Sequence, residues 1–180
     1  VEYLEEGTEV SVELFAEREA DPTTLIVAGE NSIILERLAE SRPGCLRLLN
    51  AVPIQARIYL EEGVADLACV WSLDRPWEGA EVVWSSERMM GLLFRDHSAL
   101  SHPADQPLVG WHKDSACSPA FRAVLSQRGI AAPRFVRSAK THRAVAAAVA
   151  SGRADAGYAE REAAEEAGLG FEPVREERIM

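Results

Sequence analysis

Residues 24–38 read TLIVAGENSIILERL, an apolar run joined to a helical pattern through one glycine. Residues 24–28 have the length and composition of a buried strand, and Gly29 ends that stretch. From Ile33 onwards the apolar residues recur at helical spacing. This order predicts a strand, a glycine turn and an amphipathic helix.

The same kind of unit recurs along the chain. A helix is predicted from about Pro53 to Glu62, Gly63 closes it, and a strand follows at Asp66–Val70. Strands that alternate with helices indicate a parallel sheet. The further predicted elements are strands at Met89–Arg95, Pro107–Trp111, Arg134–Arg137, Asp155–Ala159 and Phe171–Val174, and helices at Pro119–Arg128, His142–Ser151 and Glu160–Ala167.

Two segments of the sequence resemble each other. Residues 60–68 (LEEGVADLA) and residues 149–157 (VASGRADAG) each combine a helix end, a glycine, an Ala-Asp pair and a strand. Two similar Rossmann-like lobes explain this repetition, although helix, glycine and strand also form a common joint in α/β proteins. The predicted fold class is α/β, with two lobes and a ligand cleft between them.

The composition is that of a globular protein that can bury a core. The chain has 180 residues, of which 47% are hydrophobic and 27% are charged. No apolar run approaches the roughly 18 residues of a membrane span, so no membrane partner is predicted. The net charge is −10 and no stretch reads as a basic stripe, so nucleic acid is not a predicted partner.

The cysteines and the first residues of the sequence indicate the cellular compartment in which the protein is expected. Cys45, Cys69 and Cys117 are odd in number, lie far apart and form no C-x-x-C, which predicts neither a zinc site nor a disulfide framework. Residues 1–6 have neither the basic nor the apolar region of a secretion signal. These features favour a reducing cytoplasm, and a start without Met suggests a fragment of a longer chain.

The first candidate ligand-binding loop follows the first strand. In open α/β sheets, ligands collect beyond the carboxyl ends of the strands, where helix starts expose unpaired N–H groups. Glu30, Asn31 and Ser32 occupy that position here. The amides of this loop could face a ligand, and Asn31 and Ser32 could equally cap the helix alone.

Two later loops are expected in the same cleft. Ser115, Ala116, Cys117 and Ser118 form a run of small residues before Pro119, and their amides could cradle an anion or a carboxylate. A polar turn with Ser118 as a helix cap is the alternative. The loop around residues 141–142 adds two further candidates, namely Thr141 and His142, although Thr141 could serve only as a cap.

Three further residues could line the cleft. Trp71 and Ser72 follow the strand at Asp66–Val70 and are expected to cross between the lobes, where Trp71 could instead be hinge packing. Tyr158 lies in a later strand, where it could close the pocket or fill the core.

Signatures of catalysis and of cofactors are weak. The chain has no G-x-G-x-x-G, G-x-x-x-x-G-K, H-E-x-x-H or G-x-S-x-G. Cys117 with His112 or His142 could be drawn as a nucleophile and a base, but nothing in the sequence orients either ring. We therefore predict no catalytic residue, no metal ligand and no covalently bound cofactor in this segment.

The sequence from Thr141 onwards resembles a known family. Residues 141–157 read THRAVAAAVASGRADAG, and an Ala-rich helix and LGFEPVREER at residues 169–178 follow. This pattern resembles the periplasmic-binding-protein-like domain attached to molybdopterin biosynthesis proteins and to some molybdate-linked regulators. The resemblance implies a type II periplasmic-binding-protein-like fold over residues 21–180. It also implies a small ligand, with molybdate or tungstate as the candidate.

The N-terminal residues resemble another part of such proteins. Residues 4–14 read LEEGTEVSVEL, which is similar to the last strands of the C-terminal β-barrel of molybdopterin molybdenumtransferase. The resemblance implies that residues 1–20 are a remnant of an upstream barrel with its linker, and that a catalytic region precedes them. Lobe one is expected at about residues 21–75 with the C-terminal end, and lobe two at about 80–168. The resemblance also leads us to expect a further strand and helix of lobe one beyond Met180.

Two functions remain open at this point. The first is a non-enzymatic ligand-binding module of molybdenum cofactor biosynthesis, which binds an oxyanion and acts as a homodimer or beside a fused enzyme domain. The second is an effector-sensing or docking domain with an altered pocket, which regulates an attached enzyme or transcription regulator. The first is the leading interpretation, although Glu30 places a carboxylate beside the expected anion site and so weakens the assignment of molybdate. Whether the fragment retains any catalysis of its own stays open.

Overall fold

A computed structural model describes residues 24–71, 77–100 and 106–180. The predicted barrel remnant at residues 1–20 and the candidate Ser72 lie outside these ranges. The strands are β1 (Leu25–Gly29), β2 (Leu46–Asn50), β3 (Leu67–Cys69), β4 (Ser86–Phe94), β5 (Leu108–Trp111), β6 (Phe135–Ala139), β7 (Ala156–Glu160) and β8 (Gly170–Ile179). The α-helices are α1 (Ile33–Ser41), α2 (Pro53–Glu61), α3 (Cys117–Gln127), α4 (His142–Ala150) and α5 (Arg161–Glu166), and a short 3₁₀ helix spans His97–Leu100.

Lobe one is built on a three-stranded parallel sheet of order β2-β1-β3. Helices α1 and α2 pack beside this sheet, and a small core forms around Ala28, Ala51, Ala56 and Ala65. The strand, glycine and helix unit at residues 24–38 is present, as the sequence predicts. Strand β2 was missed by the sequence analysis, and it forms one edge of the sheet.

Lobe two is built on a five-stranded sheet of order β6-β5-β7-β4-β8. Strand β5 pairs in parallel with β6 and with β7, whereas β4 pairs antiparallel with β7 and with β8. The expectation of parallel pairing is therefore wrong for β4 and β8, and the sheet is mixed. The fold class, α/β with two lobes, is confirmed.

The larger core belongs to lobe two. Tyr158 and Phe121 stack with ring centroids 5.6 Å apart, and both side chains are essentially buried. Ile33, the first residue of α1, is fully buried and belongs to this same core cluster, although α1 follows a strand of lobe one. The start of α1 is thus packed into lobe two.

The end of the chain connects the two sheets. Strand β8 is ten residues long, well beyond the predicted Phe171–Val174, because it pairs with nearly all of β4. The Val70 N–H donates to the Met180 carbonyl at 2.8 Å, and the Met180 N–H donates back to Val70 at 2.9 Å. Trp71 and Ile179 form a β-bridge beside these bonds. The last residues therefore return to lobe one.

Gly29 permits a close approach at the end of β1. Its φ is +145°, and a Cβ built there would lie 1.9 Å from the Cys69 carbonyl oxygen. No side chain fits that space, so β1 and β3 can end side by side only with glycine here. Within the described ranges, no helix is long and apolar enough to cross a membrane.

Candidate functional site

The predicted ligand-binding loops meet where the lobes face each other. Glu30 follows β1 in lobe one, and its Oε1 accepts a hydrogen bond from the Ala116 N–H of lobe two at 2.9 Å. Asn50, at the end of β2, donates from Nδ2 to the Lys140 carbonyl at 3.1 Å. The loops at residues 30–32, 115–118 and 140–142 therefore all lie at the interface between the two lobes.

Glu30 is a buried carboxyl at this interface, with 9% of its surface exposed. Burial raises the pKa of Glu30 from its ordinary 4.5 to about 7, although the Ala116 N–H and the charge of Arg88 lower it. Its second oxygen, Oε2, has no hydrogen-bond partner among the described residues. Near neutral pH this carboxyl is therefore close to its titration midpoint.

Asn31 and Ser32 do not cap α1 with their side chains. Asn31 donates from Nδ2 to Glu36 Oε1 at 2.6 Å. Ser32 occupies the N-cap position but makes no side-chain cap bond, and its fully buried hydroxyl has no partner in the part of the chain that the structure describes. The capping interpretation of these two side chains is wrong.

The run at residues 115–118 is part of the start of α3. Ser115 Oγ accepts a hydrogen bond from the Cys117 N–H at 3.2 Å, and α3 begins at Cys117 rather than at Pro119. Ser118 therefore lies inside the first turn and is not the cap. Burial raises the pKa of the Cys117 thiol well above its ordinary value of 9.0, so it is not poised to act as a nucleophile.

Thr141 and His142 have structural partners. Thr141 caps α4, because its Oγ1 accepts a hydrogen bond from the Ala144 N–H at 3.1 Å. The Glu160 N–H donates to His142 Nδ1 at 3.2 Å, and Arg88 Nη1 lies 3.3 Å from His142 Nε2. Burial, aided by the charge of Arg88, lowers the pKa of His142 well below its ordinary 6.5, so the ring is neutral.

Trp71 and Tyr158 also have packing roles. Trp71 pairs with Ile179, and the Arg175 guanidinium lies 5.3 Å from the centroid of its ring. Tyr158 is fully buried on Phe121 in the core of lobe two, and burial raises the pKa of its hydroxyl. The position of Trp71 fits hinge packing and that of Tyr158 fits core filling, which were the alternatives to lining a ligand cleft.

A buried charge cluster beneath the interface was missed by the sequence analysis. Arg88 donates from Nη1 to Glu160 Oε1 at 2.8 Å and from Nη2 to Glu177 Oε2 at 3.0 Å. All three side chains are at most 3% exposed. Burial opposes the charge of Arg88, but the two carboxylates outweigh it and raise its pKa above the ordinary value. Arg175 also pairs with Glu177.

The second oxygen of Glu160 reaches lobe one. Its Oε2 accepts a hydrogen bond from the Ile33 N–H at the start of α1, at 2.9 Å. Each lobe thus sends a carboxylate to a helix start of the other, Glu160 to α1 and Glu30 to the residue before α3. Helix starts attract anions, so the chain's own carboxylates occupy positions suited to an anionic ligand.

A set of exposed ion pairs adds to the contact between the lobes. Arg143 on α4 pairs with Glu36 at 3.1 Å, with Glu166 at 2.9 Å, and with Glu40. Arg37 on α1 pairs with Glu166 at 2.8 Å. These contacts hold α1 against α4 and α5 on the outer side of the interface.

A small cavity lies at the carboxyl ends of β1 and β2. Its volume is about 70 Å³, and its polar lining comes from Glu30, Asn31, Ser32 and Asn50. This volume suffices for water molecules or for a very small ligand group. The unpartnered Glu30 Oε2 and Ser32 hydroxyl belong to the residues that line it.

The sequence model of the PBP-like family, described as the PBP superfamily domain, matches residues 78–180. That match covers more than half of the chain, so the protein belongs to this family. The type II fold predicted from the sequence is confirmed. A comparison with curated proteins found no match.

Solved structures of regulatory domains share the fold. The bromide-bound regulatory domain of HypT from Salmonella typhimurium is 13% identical with a TM-score of 0.61, over 90% of this chain and 87% of that one. The CcmR regulatory domain of Synechocystis PCC6803 in complex with 2-PG is 15% identical with a TM-score of 0.58, over 87% and 86%. Full-length HypT, a LysR-type transcriptional regulator, is 13% identical with a TM-score of 0.60, over 96% and 66%.

Proposed function

We propose that this chain is an effector-sensing domain that binds a small anionic ligand between its lobes and thereby regulates a unit attached to it. The attached unit would be an enzyme or a transcription regulator. The proposal rests on one observation, the placement of Glu30 and Glu160 at helix starts of the opposite lobe. A ligand anion that competes with either carboxylate changes the contact between the lobes, so binding and lobe arrangement are coupled.

Glu30 is the residue through which this competition is easiest. Among the described residues its carboxylate accepts one hydrogen bond, from the Ala116 N–H, whereas the Glu160 carboxylate is also held by Arg88. The raised pKa of Glu30, about 7, means that burial of its charge is costly. An incoming anion therefore displaces Glu30 more readily than Glu160, and lobe one is released on that side.

Similar structures support a regulatory role. The HypT and CcmR structures are both regulatory domains, and their bound species are bromide and 2-PG. Molybdate or tungstate, the ligand that the resemblance to molybdopterin biosynthesis proteins implies, is a further anionic candidate. The molybdenum link, a homodimer and a cytoplasmic location stay predictions.

Calorimetric titration of the chain with molybdate, tungstate, sulfate, phosphate and small carboxylates tests the proposal. We expect Glu30→Ala to bind the selected anion more tightly than the unchanged chain, because the competing carboxylate is gone. Glu62→Ala, which removes an exposed carboxylate elsewhere in lobe one, should leave the affinity unchanged. Absence of binding by both the unchanged chain and Glu30→Ala would contradict ligand sensing and favour a docking role.

Ligand binding must also change the arrangement of the lobes. Small-angle scattering with and without the anion that binds should show a change in the radius of gyration. An unchanged scattering curve with a bound anion would contradict the coupling while leaving the binding itself intact.

A further inference from the structure

A second concave surface lies on lobe two, and neither Glu30 nor Ala116 belongs to its lining. It is an open groove of about 640 Å³ at the carboxyl ends of β5 and β6 and the start of α3. We call it the basic groove and define it by Lys113, Arg122, Arg137, Ser118, Ser138 and Phe135. Its volume lies within the range of small-molecule sites.

The floor of the basic groove depends on Gly110. Gly110 on β5 stands opposite Ser138 on β6. The Phe135 ring lies over it, since a Cβ at Gly110 would be 3.0 Å from that ring. Arg122 lies above the same ring, with its guanidinium carbon 5.0 Å from the ring centroid. The ring therefore supports a guanidinium at the edge of the groove.

The charge of this region is opposite to that of the chain. Residues 106–143 contain seven Lys and Arg and a single acidic residue, Asp114, whereas the whole chain has 19 basic and 29 acidic residues. The chain has no continuous basic stripe, so this concentration was not predicted from the sequence. Helix α3 contributes to it, because Ser118 and Arg122 are four residues apart and share a helix face.

The cations of the basic groove lack anionic partners. Lys113, Arg122 and Arg137 form no ion pair among the described residues. Elsewhere in lobe two, Arg95, Arg128 and Arg143 are each paired with a carboxylate, whereas Arg134 and Arg153 form no ion pair among the described residues. Three like charges that line one groove without counter-charges repel one another, and an anion in the groove would relieve this repulsion.

We propose that the basic groove binds a small, multiply charged anion of the polyphosphate or polycarboxylate class. The three cations come from three elements, namely the end of β5, α3 and β6. An ion with a single charge can therefore pair with only some of these cations. Guanidinium groups bind phosphate and carboxylate through two hydrogen bonds, and the Ser118 and Ser138 hydroxyls can donate beside them.

Calorimetric titration with tripolyphosphate and with citrate tests this site and distinguishes the two sources of anion. The titrations are made at low ionic strength, with chloride and monophosphate for comparison, because salt screens exposed charges. We expect one of the two probes to bind with a defined stoichiometry. Arg137→Gln should then weaken it about tenfold, the loss of one charged hydrogen-bonding group.

Arg153→Gln is the matched control, since Arg153 is exposed, lies outside the groove and forms no ion pair within the part of the chain that the structure describes. It should leave the affinity unchanged. Equal losses in Arg137→Gln and Arg153→Gln would overturn the proposal in favour of diffuse attraction. No heat with either probe would also overturn it, without bearing on a ligand that responds to Glu30.

Discussion

The Glu160 carboxylate accepts a hydrogen bond from the Ile33 N–H across the lobe interface, at 2.9 Å. The same side chain is held by Arg88 at 2.8 Å from beneath. A helix start of lobe one is therefore linked by one buried carboxylate to the charge cluster of lobe two. Disturbance of this cluster should affect both the stability of lobe two and the docking of lobe one.

Arg88→Met should lower the free energy of unfolding by about 3–5 kcal/mol, because Glu160 would stay buried without its cation and Glu177 would keep only Arg175. Urea denaturation followed by circular dichroism measures this loss. Arg57→Met removes the exposed pair with Glu61 and should cost only about 0.5 kcal/mol or less. Similar costs for the two variants would show that the buried cluster is not an important source of stability.

The stability of the folded chain should depend on pH through the titration of the Glu30 carboxyl. Its pKa is raised from 4.5 to about 7 in the folded chain, so the folded state binds this proton more tightly than the unfolded state. The stabilising contribution is complete below pH 4.5 and is lost as the pH rises to about 7.

Glu30→Gln should remove this dependence while Gln can still accept the Ala116 hydrogen bond. Relative to the unchanged chain, the variant should gain up to about 3 kcal/mol between pH 4.5 and pH 7.5. Thermal melts of both proteins across this range measure the difference. A constant difference would show that the carboxyl titrates normally.

Gly29→Ala should prevent folding or cost more than about 4 kcal/mol, because the added Cβ would meet the Cys69 carbonyl at 1.9 Å. Gly44→Ala is the comparison, since Gly44 has a φ of +82° but open space around it. That change should cost about 1 kcal/mol, the conformational penalty alone. Chemical denaturation of the two variants checks this, and equal costs would rule out the clash as the cause.

Thr141→Ala should cost about 1 kcal/mol, because α4 would lose its side-chain cap. Thr141→Ser keeps the capping oxygen and should stay within a few tenths of a kcal/mol. Ser32→Ala, at the N-cap position of α1, should change stability by less than about 0.5 kcal/mol, since its hydroxyl has no partner among the described residues. Melting temperatures of the three variants would contradict this if Ser32→Ala were the most damaging.

Local patterns predict much of this fold. The apolar run at residues 24–28 and the helical spacing after it appear as β1 and α1, and the predicted helix start at Pro53 is the start of α2. Strand β2 escaped notice because its Arg and Asn interrupt a short apolar run at an edge position. The direction of β4 and β8 depends on long-range pairing, which periodicity does not contain.

The candidate site was harder to predict than the fold. The three loops were placed correctly at helix starts, because the ends of strands and the starts of helices are local features. The charge cluster was not predicted, since Arg88 lies 72 residues from Glu160 and 89 from Glu177. Carboxylates of the chain itself also accept hydrogen bonds at its helix starts. These contacts join residues of different lobes, so they are not visible in the sequence.

Strand β8 is bonded to both lobes, so its hydrogen bonds can report how the lobes move relative to each other. It belongs to the sheet of lobe two along β4, yet its last residue exchanges two hydrogen bonds with Val70 of lobe one. If lobe one pivots about this junction when a ligand enters, the Val70 and Met180 amides should stay protected from hydrogen exchange while that of Ala116 loses its Glu30 partner. If lobe one undocks altogether, all three amides should exchange together, so one exchange experiment separates a hinge from a dissociation.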